Sequence, residues 1–174
     1  MADTGISLNP EYEGLVAAKA AKYSLPTDLV RGMVLHESVG GITCATRFEP
    51  GFYARYCADK PMNFVPHGSS VETERVGRAI SWGLMQVMGE TARCNGFRGW
   101  FAELTVPEVG LEWGCLYVRR LVDRYWDGNW PTIMRAYNGG PGNRDNEASP
   151  YPGLILAHIP GGVWPAPILE VAHA

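Results

Sequence analysis

The sequence predicts a mainly α-helical domain, and three observations lead to this prediction. Apolar residues recur three and four positions apart in several segments, which is the helical period. Asn, Pro and Gly residues fall where these segments begin and end. No segment alternates apolar and polar residues for long enough to form a sheet core, although the loop region has room for a small β-hairpin. At 174 residues and 46% apolar, the chain is long enough for one domain with a core and a cleft.

Helical spacing and capping residues divide the chain into a series of elements. Residues 40–70 are rich in Gly, Pro and aromatic residues without a sustained period, which predicts a long functional loop. In the longest helix, the predicted core-facing stripe is Val109, Trp113, Leu116, Tyr117 and Leu121. In chain order, the predicted helices are about Asn9–Lys22, Pro26–Glu37, a short one near Phe52–Tyr56, Val71–Ile80, a short piece after a turn at Ser81–Gly83 toward Arg93, the long one from Pro107, Pro131–Asn138 and Tyr151–His158.

Composition argues against several kinds of partner. The formal charge of -3 at pH 7 gives no broad attraction to phosphate backbones or anionic membranes, so we expect no nucleic-acid partner and no stable membrane insertion. The most apolar stretch, residues 153–172, is interrupted by prolines and predicts no transmembrane helix. Residues 1–10 lack the basic region and apolar core of a signal peptide. The cysteines form no CxxC pair, so we expect reduced, buried thiols, with a disulfide between Cys44 and Cys57 as the alternative.

Glu37 is the most informative single residue. It follows Met33 by four positions and Val34 by three, which places its carboxylate on the apolar face of the second helix. Desolvation disfavours the charged form of a carboxyl group, so Glu37 is expected to hold its proton near neutral pH. A general acid for glycosidic cleavage needs this property, because the leaving oxygen must receive a proton as the C–O bond breaks. On spacing alone, a glutamate turned outward or paired with an arginine is the alternative.

Three short segments extend this interpretation. The first ends in His36-Glu37-Ser38, the second is Ser81-Trp82-Gly83-Leu84-Met85-Gln86-Val87-Met88, and the third is Ala136-Tyr137-Asn138-Gly139-Gly140. Together they resemble the soluble lytic transglycosylase family, a relative of goose-type lysozyme, with its helix ending in Glu-Ser, its Gly-Leu-Met-Gln motif and its Ala-Tyr-Asn-Ala-Gly motif. Order and spacing match over roughly residues 25–143, which is more specific than any one motif. Gly89 departs from the pattern, because the family usually has proline there.

The resemblance implies a goose-type, lysozyme-like fold and a set of site residues. The implied catalytic core is residues 25–143, preceded by a helical extension (1–24) and followed by a C-terminal helix and Pro-rich tail (144–174) packed on the same domain. Glu37 is the implied catalytic acid, and Tyr137 is the implied cleft residue beside it. The implied substrate-binding residues are Ser38, Ser81, Trp82, Gly83, Met85, Gln86 and Asn138. Neither a metal nor a cofactor is implied.

The second motif also has a physical interpretation. Gly83 lets the backbone approach a sugar closely, Gln86 offers a donor and an acceptor for an amide, and Met85 offers an adaptable apolar wall. The alternative is an ordinary helix start with Leu84, Met85 and Val87 in the core, and we assign Leu84 and Val87 to the core. Candidates for stacking on sugar faces are Trp82, Tyr53, Tyr56, Trp100 and Phe101, although aromatic residues in a domain of this size are more often in the core.

The resemblance implies cleavage of peptidoglycan between N-acetylmuramic acid and N-acetylglucosamine, with formation of 1,6-anhydromuramic ends. Glu37 would act first as acid and then as base. The closest alternative is a hydrolytic muramidase that uses Glu37 with Glu49 or Asp59 as a second carboxylate. A more distant alternative is a glycan-binding virion protein without activity, which would not need an acid on an apolar face. We expect a monomer that reaches the cell wall or periplasm as a phage endolysin through a holin, or as part of a virion.

Overall fold

A computed structural model describes residues 6–42 and 45–167. These residues are mainly helical, as predicted, with one three-stranded sheet. Only the strand Thr46–Phe48 lies in the loop region where a hairpin was expected, and the hairpin itself is formed later in the chain, by Ile80–Trp82 and Val87–Met88. The chain divides into two compact units, which we call the terminal unit (residues 1–41 and 115–174) and the central unit (residues 42–114). The main elements are α1 (Pro10–Lys22), α2 (Thr27–Glu37), β1 (Thr46–Phe48), α3 (Pro50–Phe52) with a π-helical turn (Tyr53–Cys57), α4 (Val71–Arg78), β2 (Ile80–Trp82), β3 (Val87–Met88), α5 (Gly89–Cys94), α6 (Pro107–Tyr125), α7 (Trp130–Gly139) and α8 (Tyr151–Leu156).

The terminal unit is built from helices whose ends follow the predicted signals. Asn9 caps α1 by accepting a hydrogen bond from the Glu11 backbone N–H at 3.1 Å, and Pro10 opens the helix. Asn129 caps α7 in the same way through the Thr132 N–H. Helix α1 packs on α2, and both α2 and α7 pack on α8. The buried side chains of this unit include Val16, Leu25, Leu29, Met33, Ile133, Met134 and Ile155.

The long helix α6 begins at the predicted proline but buries a different stripe. Leu111, Cys115 and Val118 are fully buried, whereas Val109, Trp113, Leu116 and Tyr117 are only half-buried. Leu121 alone was predicted correctly. Apolar residues occur around much of this helix, so two stripes fit the same helical period, and the sequence pattern could not separate them.

The central unit contains the antiparallel sheet, in the order β1-β2-β3. Arg47 pairs with Ser81 across β1 and β2, and Ser81 pairs with Met88 across β2 and β3. The helix predicted to reach Ile80 ends at Arg78, and the turn predicted at Ser81–Gly83 is wrong for Ser81 and Trp82, which lie in β2. Strands of two and three residues are too short to show an alternation of apolar and polar residues, so no sequence pattern predicts them.

A buried ion network joins α4 to α5 in the central unit. Glu74 is 1% exposed and accepts hydrogen bonds from Arg93 Nε at 2.8 Å and from Arg78 Nε at 2.9 Å. Arg78 also donates to Glu90 at 3.1 Å. Each charge is paired and hydrogen-bonded, which is the condition under which a protein can bury charge. The network therefore fixes the angle between α4 and α5.

The cysteines fit the prediction only in part. Cys57 is buried, and burial raises the pKa of its thiol. Cys94 is exposed, so the expectation of burial is wrong for this residue. Cys44, the other half of the alternative disulfide, lies outside the described residues.

Candidate active site

Glu37 is the last residue of α2, and it is half-buried. Met33 and Val34, on the same side of the helix, are fully buried, so the predicted apolar face is confirmed. Ser38 follows as the C-cap, is 1% exposed, and donates its hydroxyl to the Val34 carbonyl at 2.9 Å. The hydroxyl proton of Ser38 thus closes the helix and its side chain is buried, and its substrate-binding role stays a prediction.

A hydroxyl group from α8 holds the Glu37 carboxylate. The Tyr151 hydroxyl donates a hydrogen bond to Glu37 Oε1, and Tyr151 is only 4% exposed. Close helix packing makes this contact feasible, because Gly32 of α2 has no side chain where the C-terminal end of α8 approaches. A Cβ at position 32 would lie 3.2 Å from Ile159 Cγ1 and 3.5 Å from the Ile155 carbonyl oxygen. The small residue thus brings the start of α8 to the end of α2.

Tyr137 lies in the same part of the terminal unit. It is buried near the end of α7, and its ring packs against Tyr117 with ring centroids 5.3 Å apart. Burial is the main cause that raises the pKa of Tyr137 well above its ordinary value, and the nearby Glu37 carboxylate adds to the effect. The pKa of Tyr151 is also raised well above its ordinary value, first by burial and then by Glu37. Both phenols therefore keep their protons and can serve as hydrogen-bond donors.

Two histidines pack behind Tyr151. The His36 ring meets the Tyr151 ring edge-on at 5.5 Å and lies 5.9 Å from the His158 ring. Burial and then the neighbouring His158 lower the pKa of His36, and burial lowers the pKa of His158. The packing of His36 against two rings agrees with a structural role.

In the central unit, the Gly-Leu-Met-Gln segment forms the turn between β2 and β3. Gln86 has a φ of 47°, and its side chain closes the turn: Oε1 accepts from the Ser81 hydroxyl at 2.9 Å, and Nε2 donates to the carbonyls of Gly83 at 2.9 Å and Ala45 at 3.0 Å. Both amide hydrogens are used within the turn, and the expected contact of Gln86 with a substrate amide stays a prediction. Gly83 has a φ of 68°, and any Cβ there would overlap the Leu104 carbonyl.

The other predicted binding residues differ in their access to solvent. Met85 is fully buried in the core with Leu84 and packs where Gly114 leaves space, and its expected contact with sugar stays a prediction. Trp82 is half-buried and donates its indole N–H to the Gly77 carbonyl at 3.0 Å. Asn138 is exposed at the end of α7.

The two candidate second carboxylates belong to the central unit. Glu49 is half-buried and forms an ion pair with Arg47 at 2.5 Å, in which Arg47 is the more exposed partner. Asp59 is exposed, just beyond the π-helical turn. The described residues contain no group of three or more His, Cys, Asp or Glu side chains that could hold a metal ion.

Tyr151 is the site residue that sequence reasoning missed. It was assigned only to the last helix, without a role, because it lies far along the chain from Glu37. A signal was present, since a buried tyrosine usually finds a partner for its hydroxyl and Tyr151 opens an apolar helical stretch. The partner itself could not be read from the sequence, because the two residues are 114 positions apart.

The family of the chain follows from its match to a family model. Residues 62–152, just over half of the chain, match the family described as "Transglycosylase SLT domain". The chain therefore belongs to the SLT transglycosylase family. The matched segment includes the β2–β3 turn, Tyr137 and Tyr151, whereas Glu37 precedes it.

A solved structure supports the fold. The chain is similar to the X-ray structure of an inactive glutamate-to-glutamine mutant of the lytic transglycosylase Slt from Pseudomonas aeruginosa, with a TM-score of 0.53 and 18% sequence identity. The similarity covers 86% of this chain and 20% of that one. The predicted lysozyme-like SLT fold is thereby confirmed, and the chain spans about a fifth of the length of Slt. No helix among the described residues is both long and apolar enough to cross a membrane.

Proposed function

We propose that the chain is a peptidoglycan lytic transglycosylase that cleaves the β-1,4 bond between N-acetylmuramic acid and N-acetylglucosamine. Membership of the SLT family supports the class of reaction. The observation that carries the assignment to Glu37 is its carboxylate at the end of α2, half-buried, bonded to the Tyr151 hydroxyl and close to Tyr137. One glutamate-to-glutamine change inactivates the Slt mutant, which is consistent with a single essential carboxyl group.

In the first step, Glu37 gives its proton to the glycosidic oxygen while the bond from that oxygen to muramic C1 breaks. N-acetylglucosamine leaves with the proton, and the carbonyl oxygen of the substrate's own acetamido group bonds to C1. In the second step, the Glu37 carboxylate takes the proton of the muramic 6-hydroxyl, and O6 bonds to C1 as the acetamido oxygen is released. Glu37 ends protonated, as it began, and no water is consumed.

The two tyrosines have distinct proposed roles. Tyr151 is a positioning residue: its hydroxyl occupies Oε1 of Glu37, so the transferable proton is carried by the other carboxyl oxygen. Tyr137, whose phenol stays protonated, donates to Glu37 or to the acetamido group of the substrate. No second carboxylate is required, which leaves Glu49 paired with Arg47 and Asp59 solvated.

The location of action is part of the same proposal. The substrate places the enzyme at the bacterial cell wall, and we propose that it acts there as a monomer. Release as a phage endolysin through a holin, or delivery inside a virion, is the proposed route. Sedimentation of the purified protein tests the monomer, and a dimer at micromolar concentration would contradict it.

Mass spectrometry of products from purified peptidoglycan tests the reaction. We expect 1,6-anhydromuramic ends from the native enzyme and almost none from Glu37→Gln, because the amide keeps the shape of the side chain but cannot deliver a proton. A general acid contributes about 10²- to 10⁴-fold to the rate. Products with only reducing muramic ends would replace this proposal with the hydrolytic muramidase. A Glu37→Gln variant that keeps half of the native rate would remove Glu37 as the acid.

A further inference from the structure

The central unit contains a half-open cavity of about 500 Å³. Every residue that lines it lies between positions 66 and 102, so it is formed within this unit alone. Its volume is in the range of pockets that bind small molecules, roughly 300 to 1,000 Å³. It includes Trp82, Trp100 and Phe101, three of the aromatic residues for which stacking on sugar was considered from the sequence.

One wall of the cavity is a rigid aromatic surface. The Trp82 and Phe101 rings are nearly parallel, at 12°, with centroids 5.8 Å apart. Trp82 is fixed by its bond to the Gly77 carbonyl, and the Arg93 guanidinium lies 4.0 Å from the centre of the Phe101 ring. Arg93 is itself fixed by two bonds to Glu74. Trp100 also lines the cavity and is 46% exposed.

The remaining lining combines apolar side chains with a few polar groups. Val76 and Ile80 are apolar, whereas Ser69, Thr73 and Glu72 come from the start of α4 and the residues before it. Glu72 has a 78% exposed side chain, and its ion pair with Arg75 is long, at 4.0 Å. Glu74 and Arg93 also line the cavity, but each is the other's partner and neither offers an unpaired charge. Ser69 donates its hydroxyl to the Ser70 carbonyl, and the Thr73 hydroxyl is bonded to that of Ser70. The groups that can accept a further hydrogen bond are therefore these two hydroxyl oxygens and the Glu72 carboxylate.

This cavity faces away from the Gln86 turn. Adjacent residues of a strand point to opposite faces of the sheet. Ser81 bonds to the Gln86 side chain, and the next residue, Trp82, lines the cavity. The cavity and the turn therefore use opposite faces of β2.

We propose that the cavity binds an N-acetylated hexosamine unit of a glycan strand. The C–H face of a pyranose ring packs on an aromatic wall, and the acetamido methyl group fits against Val76 and Ile80. Ring hydroxyls can donate to the Glu72 carboxylate and to the hydroxyl oxygens of Ser69 and Thr73. The carboxylate disfavours an anionic ligand, and a purely apolar ligand would leave these polar groups without new partners. The choice of peptidoglycan as the source of the sugar rests on the proposed function.

Titration with N,N′,N″-triacetylchitotriose, followed by NMR of the tryptophan indole N–H groups, tests the proposal. This probe contains no muramic acid, so binding is read without turnover. We expect the Trp82 and Trp100 signals to shift along one saturating curve. Trp100→Ala should weaken the binding seen at Trp82 by about fivefold, which is the size of one lost aromatic contact. Phe48→Ala is the matched control, because Phe48 is 45% exposed in the same unit but does not line the cavity, and the affinity of this variant should equal that of the native chain.

Two outcomes would overturn the proposal. The first is that the indole signals of Trp82 and Trp100 do not shift when the trisaccharide is added. The second is that Trp100→Ala binds the trisaccharide with the native affinity. If an apolar dye shifts both signals and the sugar does not, the occupant is an apolar group and the sugar site is wrong. Failure of this site and failure of the proposed function can be told apart. Anhydromuramic products without indole shifts would remove this site and leave the proposed function. Indole shifts without anhydromuramic products would leave this site and remove the proposed function.

Discussion

Tyr151→Phe is the sharpest test of how the carboxylate is held. The substitution removes only the oxygen that donates to Glu37 and keeps the ring that packs against His36. A hydrogen bond to a charged group is worth about 1.5–3 kcal/mol. If that free energy is used to orient Glu37 in the transition state, kcat should fall by about 10- to 150-fold, since about 1.4 kcal/mol corresponds to tenfold in rate. KM should change little, because Tyr151 is buried and does not bind substrate.

The assay is the release of soluble fragments from purified cell walls over a range of wall concentrations, with a thermal melt of each variant. The melting temperature should fall by no more than about 4 °C, because Glu37 is protonated and uncharged before the reaction in the proposed mechanism, and a neutral side-chain hydrogen bond contributes about 1 kcal/mol to the free energy of unfolding. Tyr125→Phe is the control, because Tyr125 belongs to the same unit and its ring, which faces Arg124 and Arg144, is retained. Unchanged kcat in Tyr151→Phe, or a loss of kcat equal to that of the control, would refute the positioning role.

Three further predictions follow from the same structure. Glu49→Gln should keep most of the native activity, because no second carboxylate is required; a collapse as deep as that of the catalytic-acid variant, with folding intact, would indicate a two-carboxylate mechanism. His36 and His158 have pKa values lowered from the ordinary value of about 6.5, so the unfolded chain binds more protons, and stability is complete above that pH and decreases as the pH falls below it. The melting temperature of His158→Gln should therefore drop less between pH 7 and pH 5.5 than that of the native chain, and equal drops would contradict the prediction. Gly89→Ala should destabilise the fold by about 1–3 kcal/mol, because a Cβ there would overlap the Gly77 carbonyl. Gly14→Ala, in an open helical position, should stabilise it by about 0.5–1 kcal/mol. Chemical denaturation should therefore show changes of opposite sign in the free energy of unfolding of the two variants.

The elements that the sequence predicted well are those with local signals. Helices α1 and α7 begin at Asn residues that cap them, and α7 ends before Gly140, whose φ is 80°. These signals depend on contacts within three or four residues. Glu37 could be placed on the buried side of α2 for the same reason, because only the spacing within one helix was needed.

The elements that the sequence did not predict depend on distant contacts. The bond between Tyr151 and Glu37 joins two helices that only tertiary packing brings together, and the space beside Gly32 has no local signature. One hydrogen bond of the Gln86 side chain likewise reaches far along the chain, because its acceptor is the carbonyl of Ala45, just before β1. Residue type alone identified Gln86 as capable of both donating and accepting, but could not tell a substrate amide from a backbone carbonyl.

Gln86 also bears on the order in which the central unit folds. Its bonds to Ser81 and Gly83 close within a few residues, whereas its bond to Ala45 spans 41 positions. Closing the longer loop costs more chain entropy before the contact forms, so the hairpin of β2 and β3 can form first and β1 joins it later. The Gln86 side chain thus completes the hairpin of β2 and β3 and also binds the residue that precedes β1. Loss of its amide should slow refolding more than it accelerates unfolding if the bond to Ala45 forms in the transition state.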